Sequence, residues 1–186
     1  MRIISGKFKG KKISPPKDKN TRPLRDLVKE SIFNLIEHSN KIQMNLDKSI
    51  ILDLFSGSGS FGLEAISRGA DKCIFVENYS NAIDVLLKNV ASLKCEEYSA
   101  VTKVNCFNYI TNLKNKELKV DLIFLDPPFR EKKINIILEN ILEKNILNKN
   151  GIIIIHRHKK DDIKLTDKLN ILDLRLYGIS KIIFAN

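Results

Sequence analysis

Two short clusters in this 186-residue sequence bring together side chains that can do chemistry. The first is Asp53-Leu54-Phe55-Ser56-Gly57-Ser58-Gly59-Ser60-Phe61-Gly62, in which Gly57, Gly59 and Gly62 stand at G-x-G-x-x-G spacing. Glycines so spaced let a backbone turn sharply and come close to a ligand, provided the loop joins a strand to a helix. Here the apolar run 49–55 precedes the loop and the helical pattern 60–67 follows it. Glu77, twenty residues beyond Gly57 at the end of the next apolar run, can accept hydrogen bonds from ribose hydroxyls. Such a loop serves either a nicotinamide or flavin dinucleotide, or S-adenosylmethionine (AdoMet). Asp53 helps to choose. A carboxylate four residues before Gly57 attracts an ammonium or sulfonium group and repels a pyrophosphate, although it could instead cap the next helix.

The second cluster is Asp126-Pro127-Pro128-Phe129, which ends the apolar run 120–126. In an open parallel sheet, ligands bind beyond the carboxyl ends of the strands, so Asp126 and the glycine loop are expected to share one pocket. The prolines stiffen the turn. The Asp126 carboxylate and the Pro127 carbonyl can both accept N–H bonds from an exocyclic amine of a nucleobase. Two acceptors favour pyramidalisation of that amine and direct its lone pair at a methyl carbon. Phe129 offers a flat face for a base that has been extruded or unpaired. Guanine presents N1–H and N2–H donors side by side, which suits a carboxylate. Adenine presents a donor at N6 beside an acceptor at N1. Asp126 therefore tilts the reading toward guanine N2 and leaves adenine N6 open.

Charge supplies a third signal. The net charge is +10, and residues 1–30 hold ten bases against three acids. A concentrated basic segment suits a polyanion, because each neutralised phosphate releases counterions. Arg2, Lys7, Lys9, Lys11, Lys12, Arg22, Arg25 and Lys29 are the candidate contacts to such a polyanion, the alternative being a solvated basic surface that aids solubility. Cys73, Cys95 and Cys106 form no C-x-x-C pair and are odd in number, against a disulfide framework or a zinc site. Cys106 reads as a packed small side chain rather than a nucleophile, and His156 and His158 form H-x-H with no third ligand nearby. No apolar run reaches bilayer length or resembles a signal peptide, so the expected location is the cytosol.

The elements that must position these residues follow from hydrophobic periodicity. Arg2–Ser5 and Lys11–Ser14 read as a small hairpin, Pro15-Pro16 as a break, and 26–37 as an amphipathic helix. Strands are predicted at 49–55, 72–77, 100–105, 120–126, 151–156, 171–177 and 180–185, with helices at 60–67, 81–93 and 133–144. Short apolar strands alternating with helices give an α/β fold with a mostly parallel seven-stranded sheet covered on both faces. The last two strands, separated by Gly178, place an antiparallel strand near one edge.

Taken together these features resemble the bacterial 16S ribosomal RNA guanine-N2 methyltransferases, nearly end to end. The resemblance is carried by Arg2-Ile3-Ile4-Ser5-Gly6-Lys7-Phe8-Lys9-Gly10-Lys11-Lys12, Arg22-Pro23-Leu24-Arg25-Asp26-Leu27-Val28-Lys29-Glu30-Ser31-Ile32-Phe33-Asn34, Asp53 to Gly62 with Leu63-Glu64-Ala65-Ile66-Ser67-Arg68-Gly69-Ala70, Asp126 to Phe129, and Tyr177-Gly178. The usual family pattern has Thr and Arg where this chain has Leu24 and Leu27. The resemblance implies a class I AdoMet-dependent methyltransferase (Rossmann-like) fold at 41–186, with 1–40 as a basic RNA-binding extension. It implies AdoMet as cofactor and 16S rRNA, in a partly or fully assembled 30S particle, as the partner of a monomeric enzyme. Asp53, Phe55, Gly57, Ser58 and Gly59 would line the methionine end, Glu77 would bind ribose, and Asn78, Asn105 and Cys106 would lie about the adenine. Asp126, Pro127, Pro128 and Phe129 would hold the target base. Three other readings remain: an adenine-N6 methyltransferase acting on DNA or RNA, a non-catalytic RNA-binding protein with a vestigial pocket, and a dinucleotide oxidoreductase.

Overall fold

A computed structural model describes residues 1–16, 24–114, 118–162 and 164–186. Seven strands form one sheet: β1 (Ile50–Leu54), β2 (Lys72–Glu77), β3 (Ser99–Lys103), β4 (Val120–Leu125), β5 (Leu147–His158), β6 (Ile171–Tyr177) and β7 (Ser180–Ala185). Their order is β3-β2-β1-β4-β5-β7-β6. The first five run parallel, and β7 is inserted antiparallel between β5 and the edge strand β6. This is the predicted architecture. Gly178, at φ +59, makes the tight β6–β7 turn.

The helices are α1 (Asp26–His38), α2 (Ser60–Ser67), α3 (Ser80–Leu93), α4 (Cys106–Asn112) and α5 (Ile134–Glu143). Successive strand residues point to opposite faces, and the sequence fills both with apolar side chains. On one face Ile51, Leu122, Phe124, Ile152, Ile154, Ile182 and Phe184 pack with α1, α2 and α3. On the other, Leu52, Leu54, Ile123, Leu125, Ile153, Ile155 and Ile183 pack with α4 and α5. Three aromatic rings connect α1 to the sheet. Phe33 stacks on Phe61 with centroids 4.9 Å apart, and Phe61 stacks on Phe124 at 3.8 Å. Helix α1 therefore shares one core with the glycine-loop helix α2.

Three local features differ from the sequence reading. The two N-terminal arms run antiparallel but form a single bridge, Arg2 to Lys12, around a 3-10 turn at Gly6–Phe8. Side chains from the helices satisfy backbone donors that a longer ladder would have used. Glu64 accepts from the Ile4 and Ser5 N–H groups, and Asn89 accepts from Ser14 N–H. Gly6 permits this close docking, because a Cβ there would lie 1.8 Å from the Ser67 carbonyl oxygen. Helix α4 was not foreseen; it spans seven residues, starts behind an Asn105 cap and buries only Cys106 and Ile110. Strand β5 begins at Leu147 rather than 151, with a register shift opposite Val120 and Leu122.

Candidate active site

Strands β1, β2 and β4 end at the same edge of the sheet. Leu54 pairs with both Val76 and Leu125, so Glu77 and Asp126 follow immediately on either side of the loop after β1. A cleft of about 670 Å³ opens there, and Asp53, Phe55, Ser56, Gly57, Ser58, Glu77, Asn78, Asn105 and Asp126 through Phe129 line it. The glycine loop and the Asp-Pro-Pro-Phe turn thus meet in one pocket, as their strand-end positions require.

The loop has little freedom. Phe55, Gly57 and Gly59 have φ of +61, +54 and +80, and Gly59 leads directly into α2. A Cβ on Gly59 would come 2.4 Å from Leu86 Cδ1, whereas one on Gly57 would meet nothing within 4 Å. Gly59 is thus needed for packing behind the loop, and Gly57 gives the loop an open face. Glu77 ties the loop to β2: Oε2 accepts from Gly57 N–H at 2.8 Å, and Oε1 accepts from Asn78 and Tyr79 N–H at 2.9 Å. Its predicted ribose contact must use the remaining lone pairs.

Asp53 is 1% exposed, and its Oδ2 accepts from Gly62 N–H in the first turn of α2. It is therefore a helix-capping acid as well as a cleft acid. Burial pushes its carboxyl well above the usual range; the Gly62 hydrogen bond opposes the rise, and the Asp126 and Glu77 charges add to it. Arg130 is the one Lys or Arg among the described residues lining the cleft. A wall with four carboxylates, those of Asp53, Glu77, Asp126 and Glu131, and one guanidinium suits a ligand carrying positive charge better than a pyrophosphate.

Asp126 is held from the neighbouring strand. Its Oδ1 lies 2.8 Å from His156 Nδ1, and His156 Nε2 lies 2.8 Å from Ser180 Oγ. Arg157, the next residue of β5, points to the opposite face. Its guanidinium donates to the carbonyls of Pro128 (3.3 Å), Phe129 (3.0 Å) and Glu131 (2.9 Å) and pairs with Asp161. The Phe129 ring meets His156 and His158 edge-on at 5.6 and 5.2 Å. Sequence reading missed this support. The available signal was that His156 follows an apolar strand expected beside β4, one step beyond the partner of Leu125.

Some of the sequence-based site residues lie elsewhere. Cys106 is buried and does not line the cleft. Its sulfur accepts from Phe55 N–H and lies against the Val76 carbonyl, while Phe107 takes a place in the wall. Burial pushes the Cys106 thiol up to about 12, and the Glu77 and Asp53 charges contribute to the rise. Gly59 also lies behind the wall rather than in it. Lys29, read as an RNA contact, is 0% exposed. Its ammonium donates to the Arg2 carbonyl at 2.9 Å and to Ser60 Oγ at 3.3 Å, and pairs with Glu64 Oε2 at 3.4 Å. Position 29 falls on the buried face of α1, beside Val28, Ile32 and Phe33, so it cannot reach a phosphate. Arg2, Lys7, Lys9, Lys11, Lys12 and Arg25 are exposed, and Arg22 lies outside the described residues. Leu24 is buried and lines the cleft, whereas Leu27 is 69% exposed.

Comparison with known proteins places this geometry in context. A family model described as conserved hypothetical protein 95 matches residues 1–186. The chain is 31% identical over 180 residues to the ribosomal RNA small subunit methyltransferase D of Haemophilus influenzae, covering 96% of this chain and 90% of that protein. It is 35% identical over 166 residues to YlbH of Bacillus subtilis, covering 89% and 87%. Among solved structures, yhhF of Escherichia coli superposes with a TM-score of 0.83 at 25% identity, covering 100% of this chain and 96% of that one.

Proposed function

The chain belongs to the conserved hypothetical protein 95 family, and from that premise we propose that it is an AdoMet-dependent methyltransferase acting on the N2 amine of a guanine in 16S rRNA. The observation that carries this reading is the convergence of the glycine loop and Asp126 on one acidic cleft. The name of the Haemophilus relative supports rRNA of the small subunit as the substrate class. The exposed bases Arg2, Lys7, Lys9, Lys11, Lys12 and Arg25 support a polyanionic partner. In this reading residues 1–40 are the RNA-binding extension of a cytosolic, monomeric enzyme whose substrate is a partly or fully assembled 30S particle.

AdoMet, when bound, supplies a methyl group activated by a positively charged sulfur. Its two cationic centres fit the donor set of the cleft, where Asp53 is a buried carboxyl held against other acids. Phe55, Gly57 and Ser58 would hold the methionine end, Glu77 the ribose, and Asn78 and Asn105 the adenine. Asp126 and the Pro127 carbonyl accept the N–H bonds of the base, which localises the nitrogen lone pair, and Asp126 takes the proton the amine gives up. Phe129 stacks on the base and excludes water from one side.

The test is transfer of labelled methyl from AdoMet to 30S particles lacking the modification, beside naked 16S rRNA and duplex DNA, followed by nucleoside digestion. N2-methylguanosine from particles or rRNA is the expected product. N6-methyladenine, or label in DNA, would replace this reading with the adenine one. No label together with no AdoMet binding would overturn it.

A further inference from the structure

Period-2 alternation puts Phe124 and Asp126 of the β4 line on the same sheet face as Ile152, Ile154 and His156 of β5. The last members of the two rows touch. His156 is 4% exposed and hydrogen-bonded at both ring nitrogens. A carboxylate only accepts, so the nitrogen facing Asp126 must carry the proton. In the neutral ring Nε2 is then an acceptor, and the Ser180 hydroxyl donates to it. Asp126 thereby sets the tautomer, Ser180 holds the far end of the ring, and the Phe129 ring, edge-on to the imidazole, fixes its plane. The contact engages Asp126 Oδ1, and no donor among the described residues takes Oδ2.

Asp126 needs such a brace. Its side chain is 19% exposed at a cleft edge shared with Asp53 and Glu77. Left to itself, the carboxylate would rotate away from those acids and toward water. We propose that His156, braced by Ser180, is the positioning residue that orients the Asp126 carboxylate so that its second oxygen accepts from the amine of the target base. This rests on the reading of Asp126 given above.

Asparagine separates the role from mere packing, because Asn Nδ2 and His Nδ1 both sit on Cγ. His156→Asn keeps an N–H toward Asp126, and His156→Leu removes it. With the 30S assay, His156→Leu should lower kcat on the order of 10- to 100-fold, the loss expected when an acceptor is displaced by about 1 Å. KM for the particle and AdoMet binding by calorimetry should stay within about twofold, and His156→Asn should recover most of kcat. Nitrogen-15 NMR of the protein without ligand should find the His156 ring as the Nδ1–H tautomer, with Asp126→Ala weakening that preference. If the wild-type protein makes no N2-methylguanosine, the function reading fails whatever the variants do. If it does and His156→Leu matches it, or the ring carries its proton on Nε2, the positioning proposal is overturned. Where His156→Leu fails to fold, a proton on Nε2 still overturns the proposal, and so does a His156→Asn protein that folds, binds AdoMet and loses kcat despite keeping its N–H toward Asp126.

Discussion

Lys29→Met separates two meanings of a basic residue in the N-terminal segment. The substitution keeps length and removes charge. It deletes the hydrogen bond to the Arg2 carbonyl and the ion pair with Glu64, a residue itself 0% exposed. Removing one partner of a buried pair costs about 3–5 kcal/mol, because the other charge stays in the low dielectric. Glu64 keeps Arg68 Nε at 2.9 Å and the Ile4 and Ser5 N–H groups, which places the loss near the lower end, about 3 kcal/mol. For a chain of this length each kcal/mol shifts Tm by about 2–4 °C, so the expected fall is about 6–12 °C by calorimetry or circular dichroism. Binding to rRNA, measured on folded protein at several salt concentrations, should keep its slope in log K against log[salt]. A lost phosphate contact would reduce that slope by about 0.7–0.9. Lys9→Met, at an exposed position, is the control and should show the reverse pattern. A Lys29→Met protein with unchanged Tm and a reduced salt slope would defeat the structural assignment of this residue.

Asp53→Asn should retain the Gly62 contact through its amide oxygen but lose AdoMet affinity by about 10- to 100-fold, the worth of one charge-assisted bond, read by calorimetry. The folded-state carboxyl is raised, so its stabilising contribution is full below the ordinary range near pH ~4 and is lost as pH rises through the raised value. The variant should therefore gain in Tm relative to wild type as pH increases over that window. Gly57→Ala has open space and bears only the strain of a positive φ, about 1–2 kcal/mol, so it should fold but bind AdoMet weakly. Gly59→Ala adds a clash with Leu86 and should show the larger fall in Tm. With its thiol pushed up to about 12, Cys106 should resist iodoacetamide at pH 8 in the folded protein and react only after denaturation, followed by mass spectrometry.

Short-range pattern made most of the scaffold readable. Apolar runs bounded by Gly57, Gly69 and Pro127 gave strand and helix positions, because a two-sided buried strand must be apolar throughout. Asp53, Glu77 and Asp126 could be assigned to one pocket because each stands at a strand's carboxyl end, where an open parallel sheet leaves a crevice. Helix α4 escaped because seven residues burying two side chains carry almost no periodic signal. Lys29 was misread because a lysine is ordinarily solvated, and its partner Glu64 stands 35 positions away in the chain.

The chemistry-bearing residue types, the order of elements and the end of the sheet where they meet are properties of the chain as written, since they depend on neighbours a few residues apart. The partners of the charged and polar groups are not. Whether Lys29 faces rRNA or Glu64, whether Cys106 lies in the cleft wall or behind it, and whether His156 meets Asp126 depend on groups brought together from distant segments. A buried polar atom must find its counterpart wherever packing has placed one. Period 2 puts His156 on the face of Asp126 and Arg157 on the other, so adjacent residues of one strand hold the Asp126–Phe129 turn from both sides of the sheet.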